Sequence, residues 1–199
     1  MLAGKIYDPN DAELLKLRQS AHRLCKQYND TFEEEVEARK NILDGLLPDR
    51  GEGAYLQGPV YFDYGVFTHV GKGFYANFNL TVLDVCPVTI GDNVFVGPNV
   101  SLLTPKHPLC FEDRNPYLSD KGYYTDKEYG APITIGSNVW IAGNVTVLAG
   151  AEIGDGCVIG AGSVVTGKIP PHSLAYGNPC KAARKITEAD RLEFKKELL

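Results

Sequence analysis

The chain has 199 residues, 45 of them charged, with 21 glycines, one Met, one Trp and a formal net charge of −5. Such a length suits one domain with a sizeable core and a smaller appendage. The acidic balance argues against generic binding to nucleic acid or to an anionic membrane, and no run of about 18 apolar residues marks a spanning helix.

The opening MLAGKIYDPND lacks the apolar stretch of a signal peptide. Five cysteines (Cys25, Cys86, Cys110, Cys157, Cys180) lie far apart without a C-x-x-C pair, so neither a zinc knuckle nor a disulfide framework is supported. A reducing cytoplasm is the expected compartment. Charge and glycine are unevenly spread: residues 1–50 hold 18 charged residues and two glycines, whereas residues 133–177 hold three and nine.

In chain order, Leu14, Leu17, Ala21, Leu24 and Tyr28 recur at helical spacing over residues 11–29, with Asp11 as the cap. A second helix is predicted from Thr31, where Thr31 and Glu34 have capping-box spacing and Phe32, Val36, Leu43 and Leu46 would face inward. Pro48 and Gly51 close this segment, assigned to residues 1–54.

From Ile135 the chain reads in sixes: aliphatic first residues at Ile135, Ile141, Val147, Ile153, Ile159 and Val165. Four places after the first five of these come Val139, Val145, Ala151, Cys157 and Ser163, mostly small. The same frame starts upstream at Ile90, Val96 and Leu102, with fainter copies at Val70, Ala76 and Val82 and at Leu56 and Phe62. Period six fits neither a helix nor plain strand alternation. It fits a short strand followed by a turn in which Gly or Asn adopts positive φ, three strands closing a triangular coil. The prediction is a mainly β fold, a parallel β-helix over residues 55–186. The longer steps from Phe62 to Val70 and from Val82 to Ile90 are expected as bulged corners. The repeat breaks over 103–132, a Pro-, aromatic- and charge-rich excursion of a length that is usually functional. Residues 187–199 read as a terminal amphipathic helix over the last open strand edge.

The hexads, together with YFDYG (61–65), FYANFNL (74–80), His107-Pro108, ITIGSNVWI (133–141), GAGSVVT (160–166) and GNPCKAARKI (177–186), resemble the maltose/galactoside O-acetyltransferases. These are hexapeptide-repeat, left-handed β-helix acyltransferases. The resemblance runs from residue 3 to about residue 186. It implies the left-handed coil, a homotrimer, and acetyl-CoA as co-substrate in the groove between neighbouring prisms, with no metal required.

Of four histidines, His22 reads as a surface residue and His69 and His172 as structural. His107 stands where the family has its catalytic base. A sugar hydroxyl is a poor nucleophile, and an imidazole of ordinary pKa near 6.5 is suited to take its proton. The family's oxyanion donor is a Ser backbone N–H, at the position of Gly143 here. For the acceptor the resemblance implies Asn77, which shares the catalytic site, with Tyr75, Asp63 and Asp84. Asp63 replaces a Ser of the galactoside enzyme, and Val85 and Pro9 stand where it has acidic contacts. For the donor it implies Gly143, Ala161, Thr166, Lys168, Lys181 and Arg184, the cations suiting phosphates in an otherwise acidic chain.

The expected activity is direct acetyl transfer to a sugar or sugar-like hydroxyl. The alternatives are an antibiotic acetyltransferase of the same superfamily, a zinc enzyme lacking its third histidine, and a non-catalytic scaffold.

Overall fold

A computed structural model describes residues 1–195. Helix α1 (Ala12–Asn29) and helix α2 (Val36–Leu46) precede a solenoid of about six turns. Its strands fall on three faces. The first carries Tyr55–Leu56, Tyr75–Ala76, Phe95–Val96, Trp140–Ile141, Val158–Ile159 and Ser173–Tyr176. The second carries Val60–Phe62, Leu80–Leu83, Ser101–Leu103, Thr146–Leu148 and Val164–Val165. The third carries Thr68–Val70, Val88–Ile90, Ile133–Ile135, Glu152–Ile153 and Lys168–Ile169. Within each face these strands pair in parallel, as a triangular coil requires.

The hexad frame is the core. Every aliphatic first position from Leu56 to Val165 is buried, as are Val139, Val145, Ala151, Cys157 and Ser163. Asn79, Asn99 and Asn144 adopt positive φ (61°, 58°, 58°) at successive corners between the first and second faces. Their side-chain amides form a ladder, Nδ2 of Asn79 donating to Asn99 Oδ1 (2.9 Å) and Nδ2 of Asn99 to Asn144 Oδ1 (3.2 Å). At Gly91 an added Cβ would lie 2.7 Å from Ser137 N, so stacking itself demands glycine there.

Both open ends are covered. At the first coil, Tyr28 Oη donates to Leu56 O (2.5 Å), and Asn29 both donates to Val60 O and accepts from Val60 N, imitating a strand neighbour. Arg39 adds bonds to Leu56 O and Gln57 O, and its guanidinium stacks 4.5 Å from the Tyr28 ring centre. At the last coil, Lys181–Lys185 pairs antiparallel with Ser173–Tyr176, followed by two 3-10 turns, Glu188–Asp190 and Leu192–Phe194. The expected terminal helix thus begins as short turns, the covering of that edge is done by a strand, and residues 196–199 lie outside the described residues.

Asp11 caps α1 as expected, accepting from Glu13 N and Leu14 N. The expectation for α2 is corrected. It starts at Val36, not Thr31, because Thr31 Oγ1 donates to Tyr28 O (2.6 Å) and ends α1. Phe32 and Val36 are 70% and 66% exposed, since the inward stripe is Arg39, Leu43 and Leu46 and the first turn overhangs the prism.

Ile135→Ala should cost about 2–5 kcal/mol through lost burial and a cavity. Thr134→Ala, on the outward side of the same strand, should stay within about 0.5 kcal/mol. Denaturant titrations read both, and equal losses would contradict the inward ladder.

Candidate active site

All three irregular corners lie between the second and third faces, stacked on consecutive coils: 63–67, 84–87 and 104–132. Asp84 stitches the first two. It is fully buried, accepting from Tyr64 N (2.8 Å) and Thr68 Oγ1 (2.9 Å). Burial pushes its carboxyl up to about 6, those bonds opposing. Asp84 therefore supports the corner from inside.

The excursion leaves from Thr104, whose Oγ1 donates to Leu83 O and accepts from Cys86 N. Pro105–Lys106 then pairs antiparallel with Tyr129–Gly130, bringing the two ends of the excursion together. Gly130 is required at this root, since a Cβ would meet Thr104 O at 2.7 Å. Beyond lie a helical turn, Phe111–Arg114, and a hairpin of Tyr117–Leu118 with Tyr124–Thr125.

The start of the chain folds onto this excursion. Tyr7 N donates to Glu128 O (2.9 Å) and Tyr7 Oη to Glu128 Oε2 (2.5 Å). Asp8 accepts from Tyr123 Oη (2.6 Å) and Thr125 Oγ1 (2.5 Å). Burial works against its charge, but those bonds outweigh it and hold the carboxyl below its ordinary value.

His107 stands just past the zipped root, half-exposed, between two carboxylates. Asp126 Oδ2 is 3.5 Å from Nδ1 and Glu128 Oε1 is 3.9 Å from Nε2. Burial raises the Glu128 carboxyl, with the Tyr7 bond and the His107 charge opposing. Nearby, between α1 and the second face, lies a cavity of about 460 Å³ whose lining includes His22, Cys25, Phe62, Asp63 and Leu83. Burial raises Asp63 too, opposed by His22 (Nε2 at 3.8 Å) and Arg18. Leu83 pairs with Leu103, four residues before His107, so the Asp63–Leu83 end of the cavity lies on the edge from which the excursion leaves. Tyr7, Asp126 and Glu128 were not singled out from sequence; the Asp-Lys-Glu-Tyr run closing the excursion was the only local signal.

The other expected residues lie elsewhere. Asn77 and Tyr75 sit at the opposite edge of the second face, where the first face ends. Asn77 Oδ1 accepts from Phe78 N, and the Tyr75 ring lies 6.0 Å from those of Tyr55 and Phe95. Gly143 and Ala161 stack on that same edge, and Gly143 N–H has no acceptor among the described residues. Thr166, Lys168 and Lys181 line a cavity of about 130 Å³ at the far end of the solenoid. Lys168 is paired with Glu152 (2.9 Å), and Arg184 is held by both oxygens of Asp190 (2.8 Å each).

A family model described as "Maltose acetyltransferase hexapeptide capping motif" matches residues 1–51, and one described as "Bacterial transferase hexapeptide (six repeats)" matches 132–167. The chain is 41% identical to the galactoside O-acetyltransferase of Escherichia coli (strain K12) over 98% of its length and 92% of that protein's. It belongs to the maltose/galactoside O-acetyltransferase family. A solved galactoside acetyltransferase in complex with coenzyme A superposes with a TM-score of 0.84 at 43% identity, covering 94% of this chain and 90% of that one. A hexapeptide-repeat acetyltransferase of Vibrio cholerae, complexed with acetyl coenzyme A, gives 0.82 at 31%, covering 94% and 97%. This acetyltransferase therefore has the family's hexapeptide-repeat fold, and it is an acyltransferase. Among the described residues no helix is long and apolar enough to cross a membrane, and no group of three or more His, Cys, Asp or Glu side chains could hold a metal ion.

The Asp84 shift carries a sign. The folded pKa lies above the unfolded one, so the folded chain holds the proton through pH 4–6 and its stability falls as pH rises through that window. Asp84→Asn carries no such loss. Its stability relative to wild type should grow between about pH 4 and 6 and then level off, as read from denaturation midpoints across pH.

Proposed function

We propose that this chain transfers an acetyl group from acetyl-CoA to a hydroxyl of a sugar or sugar-like acceptor, with His107 as general base. The observation carrying this reading is the imidazole held between Asp126 and Glu128 at the root of the excursion. Asp126, nearer to Nδ1, keeps the proton on that nitrogen and steadies the imidazolium, leaving Nε2 for the acceptor. Acetyl-CoA supplies the acetyl group as a thioester. His107 Nε2 takes the hydroxyl proton as the oxygen bonds to the carbonyl carbon; Gly143 N–H bonds the resulting oxyanion. When the C–S bond breaks, the imidazolium returns the proton to the leaving thiolate, and no bond to the enzyme forms. Thr166, Lys168, Lys181 and Arg184 supply hydroxyl and cationic contacts for the donor's phosphates.

A single chain cannot unite these groups. His107 and the Asp63 cavity lie at one edge of the second face and Asn77, Tyr75, Gly143 and Ala161 at the other, separated by a strand of up to four residues, about 13 Å. A homotrimer, in which one copy's His107 edge meets the next copy's Asn77–Gly143 edge, resolves the split. An outward row of Tyr55, Tyr75, Phe95 and Trp140 down the first face suits contact with a neighbour or with the donor. The cytoplasm is the proposed compartment, consistent with five unpaired cysteines.

CoA release measured against maltose, galactosides and antibiotics tests the acceptor class; activity on antibiotics alone would defeat it. His107→Ala should lose about 10²–10⁴-fold in turnover. Co-expressed His107→Ala and Asn77→Ala subunits should regain part of the activity that each lacks, because mixed trimers contain an intact interface. No recovery would argue against a shared site.

A further inference from the structure

The Tyr7 phenol lies 121 positions from Glu128 in sequence, yet it makes a 2.5 Å bond to a carboxylate that itself faces the His107 ring. We propose that Tyr7 is a positioning residue for acetyl transfer, pinning Glu128 so that its free oxygen stays at the acceptor side of His107. The inference rests on His107 being the base.

Glu128 has two oxygens and two tasks. Oε2 is occupied by the Tyr7 hydroxyl, and Oε1 stands 3.9 Å from Nε2, the nitrogen facing the acceptor. A hydroxyl bound there can donate to Nε2 while Oε1 accepts from a neighbouring hydroxyl of the same acceptor and so fixes its direction. That needs a carboxylate which does not swing, and a charge-assisted bond from a rigid phenol supplies the constraint. Tyr7 is itself immobilised. Its N–H donates to Glu128 O, its carbonyl accepts from Glu128 N (3.4 Å), and its ring packs on the cluster of Tyr64, Val85 and Cys86. The adjoining Asp8 ties the arm to Tyr123 and Thr125. Burial and the bond to Glu128 push the Tyr7 phenol far above its ordinary range, so the hydroxyl keeps its proton and remains the donor. The titratable groups facing Glu128 are His107, Asp126 and Asp63, and Tyr7 is the side chain that donates a hydrogen bond to it.

Tyr7→Phe removes one hydroxyl and leaves the backbone bonds and the ring. CoA release is measured with maltose and with a thiogalactoside as acceptors, and with water alone. The expected result is a drop of about tenfold in kcat/KM for the acceptor, the scale of one lost charge-assisted bond. KM for acetyl-CoA and the thermal midpoint should be unchanged. On a Glu128→Ala background the same substitution should have no further effect, a non-additivity that a merely structural role would not produce. Wild-type kcat/KM in Tyr7→Phe, or an equal drop on both backgrounds, overturns the proposal. An active His107→Ala overturns the base reading and this inference with it, whereas an inactive His107→Ala beside an unaffected Tyr7→Phe removes only the inference.

Discussion

Everything in this molecule depends on one coil lying directly on the next. The aliphatic first residue of each hexad packs on its counterpart one coil away, and the parallel strands hold that spacing. Corners therefore stack as well as strands. Gly91 has no room for a side chain, and Asn79, Asn99 and Asn144 exchange amide bonds down one edge. Against so regular a stack, the surroundings of His107 are built where the regularity is broken.

It is broken at one edge. The widened corners 63–67 and 84–87 and the excursion 104–132 follow one another between the second and third faces, and the buried Asp84 binds the first two together. Helix α1 leans over the same edge and completes the wall of a cavity. His107 gains its surroundings from three distant stretches: the excursion's root, its closing Asp126–Glu128 run, and the first ten residues. The cost of ordering so long a loop is offset by tying both its ends and its tip to the solenoid and to the arm.

Most of the solenoid was legible in the sequence because period six reports directly on which side chains point inward, and every first-position residue named from Leu56 to Val165 is buried. Helix α1 and its Asp11 cap were legible for the same local reason. The start of α2 was not: Thr31 has the spacing of a capping box but ends the preceding helix, a choice made by the Tyr28 carbonyl. Arg39 at the first coil was equally hidden, because a charged residue on a helix gives no sign that strand carbonyls await it.

For the site, residue type and resemblance located His107 and the excursion, and family membership fixed the class of reaction. Local pattern and composition determined the coil, its helical cap and the position of its interruption, since these rest on contacts between residues at regular spacing. Tertiary structure alone decided what surrounds the histidine. Tyr7 reaches Glu128 across 121 positions, Asp84 turns inward to bond Tyr64 N and Thr68 Oγ1, and Asn77 and Gly143 fall on the edge opposite His107. Such pairings follow from how coils stack and where the arm returns, and no periodicity encodes them.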